Sequence, residues 1–167
     1  MSLAAEVVAA LSGRGLSVAV AESLTGGLVV AELVGVPGAS AVVRGGVVAY
    51  HTELKQTLLG VDPGLLEERG PVDGDVAAAM ATGVRDRLAV DGRPADVGLS
   101  TTGVAGPDPQ GGHEPGTVFV GVALGDDVRV VPLQLRGDRA AIRAASVSEC
   151  LSTLLALLRE GPSGTSR

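Results

Sequence analysis

Ser17-Val18-Ala19-Val20-Ala21-Glu22-Ser23-Leu24-Thr25-Gly26-Gly27-Leu28 is the stretch on which the fold turns. Ser17 to Ala21 is a short, mostly apolar run bounded by a polar loop, the pattern of a buried strand. Thr25-Gly26-Gly27 then opens a helix over about Leu28 to Leu33. Strand, short loop and helix in that order make the repeating unit of α/β proteins.

The same alternation continues in both directions. Upstream, Leu3 to Leu11 reads as a helix stopped by Gly13-Arg14-Gly15. Downstream, Val36-Pro37-Gly38-Ala39-Ser40 is a turn and Gly46 to Tyr50 a strand. Thr52 suits an N-cap, which makes Lys55 the third residue of a helix ending near Gly60. Asp62-Pro63 starts another short helical turn. Asp75 to Leu88 is amphipathic, with Val76, Ala79, Met80, Gly83, Val84 and Leu88 on one side. Asp96 to Thr101 is a strand, Gly103 to Gly116 a long Gly/Pro loop, and Thr117–Leu124 with Val128–Leu135 a hairpin about Gly125-Asp126-Asp127. Asp138 to Leu158 is the last helix, and Gly161 to Arg167 reads as a frayed tail. With no repeat and no linker, the expectation is an α/β layer architecture with residues 1–160 as one domain and 161–167 as a flexible tail.

Composition narrows the function classes. Hydrophobic residues make up 46% of the 167, almost all Ala, Val and Leu, with Phe119 and Tyr50 the only aromatics. The core must therefore be small aliphatics packed closely. A net charge of −6 argues against a nucleic-acid partner, though it leaves room for a local cationic pocket. Cys150 is the only cysteine, so no internal disulfide forms, and His51 and His113 are too few and too isolated for a metal site. The opening residues include Glu6 and no early basic residue, which reads as a helix and not a signal peptide. No apolar run approaches the roughly 18–20 residues that span a bilayer, so no membrane partner and a cytoplasmic protein are expected.

Three loops carry the chemistry. The first is Ala21-Glu22-Ser23-Leu24-Thr25-Gly26-Gly27, where a strand meets a helix N-terminus. Free N–H groups and two glycines there suit a nucleophilic serine, an oxyanion hole, a phosphate, or merely a helix cap. The second holds the chain's one tyrosine and one lysine, Tyr50 and Lys55, against twelve arginines. A lysine in the first turn of a helix opposes the macrodipole, and partial burial depresses its pKa further. Such a lysine can take a proton from serine; the alternative is an outward side chain paired with Glu53. The third, Ser100 to Gly112, runs from a strand into a glycine-rich loop whose hydroxyls and N–H groups suit a sugar or phosphate. Arg139 and Arg143, four apart on one helical face beyond Arg136, either grip a phosphate or are solvated.

Together these stretches resemble the C-terminal domain of the competence-damage-inducible CinA family, found also as a stand-alone nicotinamide-nucleotide amidohydrolase. The matching segments are Ala21-Glu22-Ser23, Thr25-Gly26-Gly27, Val36-Pro37-Gly38-Ala39-Ser40, Gly46-Val47-Val48, Tyr50, Lys55, Leu59-Gly60-Val61, Met80-Ala81, Gly83, Thr102 to Pro107, Gly116-Thr117-Val118 and Gly137-Asp138-Arg139, in family order. The resemblance implies a three-layer α/β/α fold around a mixed sheet. It implies hydrolysis of the carboxamide of nicotinamide mononucleotide to nicotinate mononucleotide and ammonia, without a cofactor or metal. By matching position, Ser23 would be the nucleophile, Lys55 its base, and Tyr50 a hydrogen-bonding assistant of the pair. Thr25, Gly26 and Gly27 would supply backbone donors, while Thr102, Gly103, Ala105, Gly106 and Arg139 would hold the nucleotide. The family also suggests a homo-oligomer. Where its pattern carries Lys-Pro-Val-Gly, this chain has Glu114-Pro115-Gly116. A non-catalytic nucleotide-binding domain and a Ser-Lys amidase with another small substrate are the rival readings.

Overall fold

The apolar run at Val18 forms β1 (Val18–Glu22), buried along its whole length because a strand lies on each side of it and a helical layer on each face. The computed structural model describes residues 1–160; the expected tail, Gly161–Arg167, lies outside the described residues. Strands β2 (Val43–Val48), β3 (Val97–Gly103), β4 (Thr117–Leu124) and β5 (Asp127–Gln134) complete one sheet in the order β2-β1-β3-β4-β5. β1 runs parallel to β2 and β3, whereas β4 and β5 are antiparallel additions, so the sheet is mixed.

Alternation along β1 divides the core. Val18 and Val20, with Val97, Leu99, Val120 and Val122, meet α1 (Leu3–Arg14), α2 (Leu28–Val34) and α6 (Arg139–Glu160). Ala19 and Ala21 face the other way, toward α5 (Gly74–Arg87), α4 (Pro63–Arg69) and Leu59 and Val61, which follow α3 (Thr52–Thr57). The result is the three-layer α/β/α sandwich expected from the sequence.

The small residues have a steric cause. α5 lies so close to the sheet that a Cβ on Gly98 would collide with the Ala81 carbonyl oxygen, and one on Gly121 would sit 2.5 Å from that of Ala77. Ser100 Oγ uses the same closeness to donate to Ala77 O at 2.6 Å. Interiors pack at crystal-like density, so this separation leaves no space for bulky side chains.

Two expectations shift. β2 begins at Val43 and ends at Val48, because its register with β1 closes at Glu22↔Val48. Tyr50 is therefore outside the sheet. α6, at 22 residues, is long and apolar enough by length and composition to cross a bilayer, which the sequence reading had not anticipated. Its apolar stripe is spent on the core instead: Val147, Cys150, Leu151, Leu154 and Leu158 are buried against the sheet and α1.

Candidate active site

The site forms where β1 and β3 end side by side. Their parallel register pairs Glu22 with Thr101, so the loops that follow both strands open at the same edge. Ser23 is the first residue beyond β1. Its N–H donates to Thr101 O at 3.0 Å, which pins the nucleophile candidate to the neighbouring strand. Thr25 adds a buried hydroxyl contact to Thr101 Oγ1 at 2.8 Å.

Lys55 reaches the same point from α3. Its side chain is only 1% exposed, and Nζ lies 3.0 Å from Ser23 Oγ and 2.8 Å from Ala49 O. No carboxylate meets it among the described residues. Burial without a counter-charge pushes the ammonium down from its ordinary 10.5 to about 8. At pH 7 about one molecule in ten then carries the free amine, against about one in three thousand for an unperturbed lysine. The free amine has a lone pair facing Ser23 Oγ, so the same 3.0 Å contact can run with the serine hydroxyl donating.

The sequence reading gave the right direction for Lys55 but one wrong cause. His51, not Thr52, caps α3, accepting the Glu53 N–H on Nδ1 at 3.3 Å. Lys55 is thus the fourth residue of a six-residue helix and lies in its last turn, where the dipole does not oppose a cation. Desolvation alone lowers its pKa.

Ser23 and Lys55 open into a cavity of about 150 Å³ lined also by Leu24, Tyr50, Thr102, Gly103, Ala105, Gly106, Asp108 and Arg139. Thr102 Oγ1 donates to Pro71 O at 2.6 Å, which holds its side chain at the wall. Arg139 Nη1 donates to Gly106 O at 2.7 Å and Nη2 to Tyr50 Oη at 3.2 Å. Arg139 has no carboxylate within ion-pair distance among the described residues, so its guanidinium borders the cavity without a paired counter-charge.

Three expected roles change. Tyr50 lines the cavity but makes no hydrogen bond to Ser23 or Lys55; it is 61% exposed, and its hydroxyl accepts from Arg139 Nη2. Thr25, Gly26 and Gly27 do not line the cavity, and the Gly26 N–H is spent on Ser23 O at 3.1 Å. The N-terminus of α2 is closed to a phosphate: Glu22, 1% exposed, accepts the Val29 and Val30 N–H groups at 2.8 and 3.1 Å. Backbone N–H groups at the cavity without an acceptor, among the described residues, include those of Leu24, Ala105 and Gly106, and also of Tyr50, Thr52, Val72, Asp108 and Arg139. Arg143 faces away from the cavity toward the carbonyls of Leu24 and Thr25, so Arg139 alone of the α6 pair borders it.

Sequence reasoning missed Glu22 as a helix cap, Asp108 as a lining acid and Ala49 O as the second partner of Lys55. Glu22 had a visible signal, an acid at a strand end just before a helix that lacks a side-chain cap; the backbone carbonyl had none.

A model of the CinA C-terminal domain matches residues 1–158. The CinA-like protein of Frankia casuarinae is 47% identical over 157 residues, covering 94% of this chain and 35% of that protein. The chain thus spans about a third of the length of the curated relatives it matches. Among solved structures, a competence-damaged protein (CinA) superfamily protein from Klebsiella pneumoniae superposes with a TM-score of 0.89 at 28% identity, covering 95% of this chain and 96% of that one. The competence/damage inducible protein CihA from Agrobacterium tumefaciens gives 0.86 at 32% identity, with 93% of each chain covered.

Proposed function

The chain belongs to the CinA C-terminal domain family, and from that premise we propose that it is a Ser-Lys amide hydrolase acting on the carboxamide of nicotinamide mononucleotide. The observation that carries the reading is the 3.0 Å contact between Ser23 Oγ and a buried Lys55 with no counter-charge, at the floor of a polar cavity. A lysine serves as base only when its amine is free at working pH, and burial supplies that.

The chemistry runs in two halves. Neutral Lys55 takes the Ser23 proton as Oγ attacks the carboxamide carbon. The oxyanion is met by the unspent N–H groups at the cavity; one such donor is worth roughly 3–4 kcal/mol in comparable sites. Protonated Lys55 gives its proton to the departing nitrogen, ammonia leaves, and an acyl ester remains on Ser23. Water then adds as Lys55 takes its proton, and the ester collapses to the carboxylic acid while Lys55 returns that proton to Ser23 Oγ, restoring serine and the free amine.

Size and charge fit a pyridine nucleotide. A void of about 150 Å³ holds one six-membered ring. The rest of a nucleotide then lies at the mouth, where the Arg139 guanidinium can meet a phosphate. Tyr50 acts through Arg139, holding it in place.

The test is ammonia release from nicotinamide mononucleotide, nicotinamide riboside and nicotinamide. The mononucleotide should be preferred, and Ser23→Ala should lose turnover by a thousandfold or more. Equal use of the unphosphorylated compounds refutes the phosphate assignment, and turnover in Ser23→Ala refutes the nucleophile.

A further inference from the structure

We infer that Arg143 is a positioning residue: from behind the Ser23 loop it fixes the turn that presents the Leu24 N–H to the reacting centre. This rests on the Ser-Lys reading above and concerns a residue that does not touch the cavity.

Ser23 to Gly26 is a four-residue turn closed by the Gly26 N–H on Ser23 O at 3.1 Å. Its middle peptide, between Leu24 and Thr25, is the one that reverses when a turn passes between types I and II. Thr25 does not have a positive φ, so the turn is not type II. Arg143 holds that peptide by its oxygen: Nε donates to Leu24 O at 2.9 Å, and Nη2 donates to Thr25 O at 3.3 Å. Three consecutive carbonyls, Ser23, Leu24 and Thr25, are thereby occupied. In a planar trans peptide the N–H points opposite its C=O. The Leu24, Thr25 and Gly26 N–H groups are therefore all directed by bonds to the oxygens behind them.

The charges around the loop support a specific arrangement over general packing. Arg143 is half-buried and has no carboxylate within ion-pair distance among the described residues. Its charge is met by the loop carbonyls. Glu22 secures the other flank by taking the two N–H groups of α2. Ile142, next in α6, packs with Leu24, Ala105 and Val118, which brings the Arg143 stem to the back of the turn. A fork of N–H donors can span two successive carbonyls; a lysine ammonium is a point donor and cannot reproduce it.

The test uses Arg143→Met, Arg143→Lys and Arg143→Ala. For ammonia release, Arg143→Met should lower kcat about 10- to 100-fold, leave KM within about threefold, and leave the pH midpoint unmoved, because Lys55 is untouched. Arg143→Lys should recover only part of the loss, and millimolar guanidinium should restore part of the activity of Arg143→Ala. A raised KM with unchanged kcat would mean that Arg143 meets substrate directly and would overturn the inference, as would full activity in Arg143→Met. Amide exchange gives a readout independent of substrate. In Arg143→Met the Gly26 N–H, which closes the turn, should exchange at least tenfold faster while the β3 amides keep their protection. Unchanged exchange at Gly26 overturns the inference even in a protein inactive toward the nucleotide. Faster exchange with an inactive wild type would uphold Arg143 and discard the substrate.

Discussion

Replacing Lys55 by methionine should change how stability depends on pH, and the structure sets the size. The shift from 10.5 to about 8 corresponds to about 3 kcal/mol at ~1.4 kcal/mol per unit. The sign follows from proton counting. Between pH 8 and 10.5 the unfolded chain keeps the Lys55 proton that the folded chain has lost, so the unfolded state binds more protons and stability rises with pH. The contribution is fully present above about 10.5 and lost as pH falls through 8. Below 8 the folded protein carries a buried ammonium. Methionine removes that penalty but strands Ala49 O, a loss of about 1–2 kcal/mol. The variant should then be roughly 1 kcal/mol more stable than wild type at pH 7 and less stable near pH 10. Urea unfolding of both proteins at half-unit intervals from pH 6.5 to 10.5 measures this. Taking the difference cancels groups common to both, including Cys150, whose thiol burial and the nearby Glu22 charge push upward. A difference that stays flat across the range would refute the claim that Lys55 is buried without a counter-charge.

Arg139→Met should raise KM for the mononucleotide about tenfold or more and change kcat little, while leaving KM for the riboside almost unmoved; steady-state kinetics on both substrates decides it. Gly98→Ala places a Cβ against the Ala81 carbonyl and should cost about 3 kcal/mol or more in chemical denaturation, whereas Gly13→Ala, in α1 with open space around it and no positive φ, should stay within about 1 kcal/mol. Glu22→Gln leaves one of the Val29 and Val30 N–H groups facing an amide N–H, and a loss of about 1–3 kcal/mol is expected by the same assay.

The layer order was legible because apolar period and punctuation suffice for it. Val18 and Val20 alternate with Ala19 and Ala21, and the hairpin flanks Gly125 as expected. Strand ends were less legible. β2 stops at Val48 because its partner strand stops, a long-range fact that no local pattern encodes. The pairing of Ser23 with Lys55, 32 residues apart, was suggested by residue type and by family resemblance, and the fold brings the two side chains together. Tyr50, placed in the site by family resemblance, does line the cavity, but its hydroxyl partner is Arg139, 89 residues away, which no local pattern encodes. Arg139 and Arg143 share a helical face, yet one borders the cavity and the other ties down the serine loop. That difference depends on which carbonyls the fold places within reach, which helical spacing does not contain.

The most direct test of the Ser-Lys account is the pH dependence of kcat/KM for ammonia release from nicotinamide mononucleotide. This quantity reports the free enzyme, in which Lys55 must be neutral to accept the Ser23 proton. The account predicts an ascending limb of unit slope with its midpoint near 8, set by burial of the ammonium. A profile already flat below pH 7, or one that falls as pH rises through 8, would contradict it.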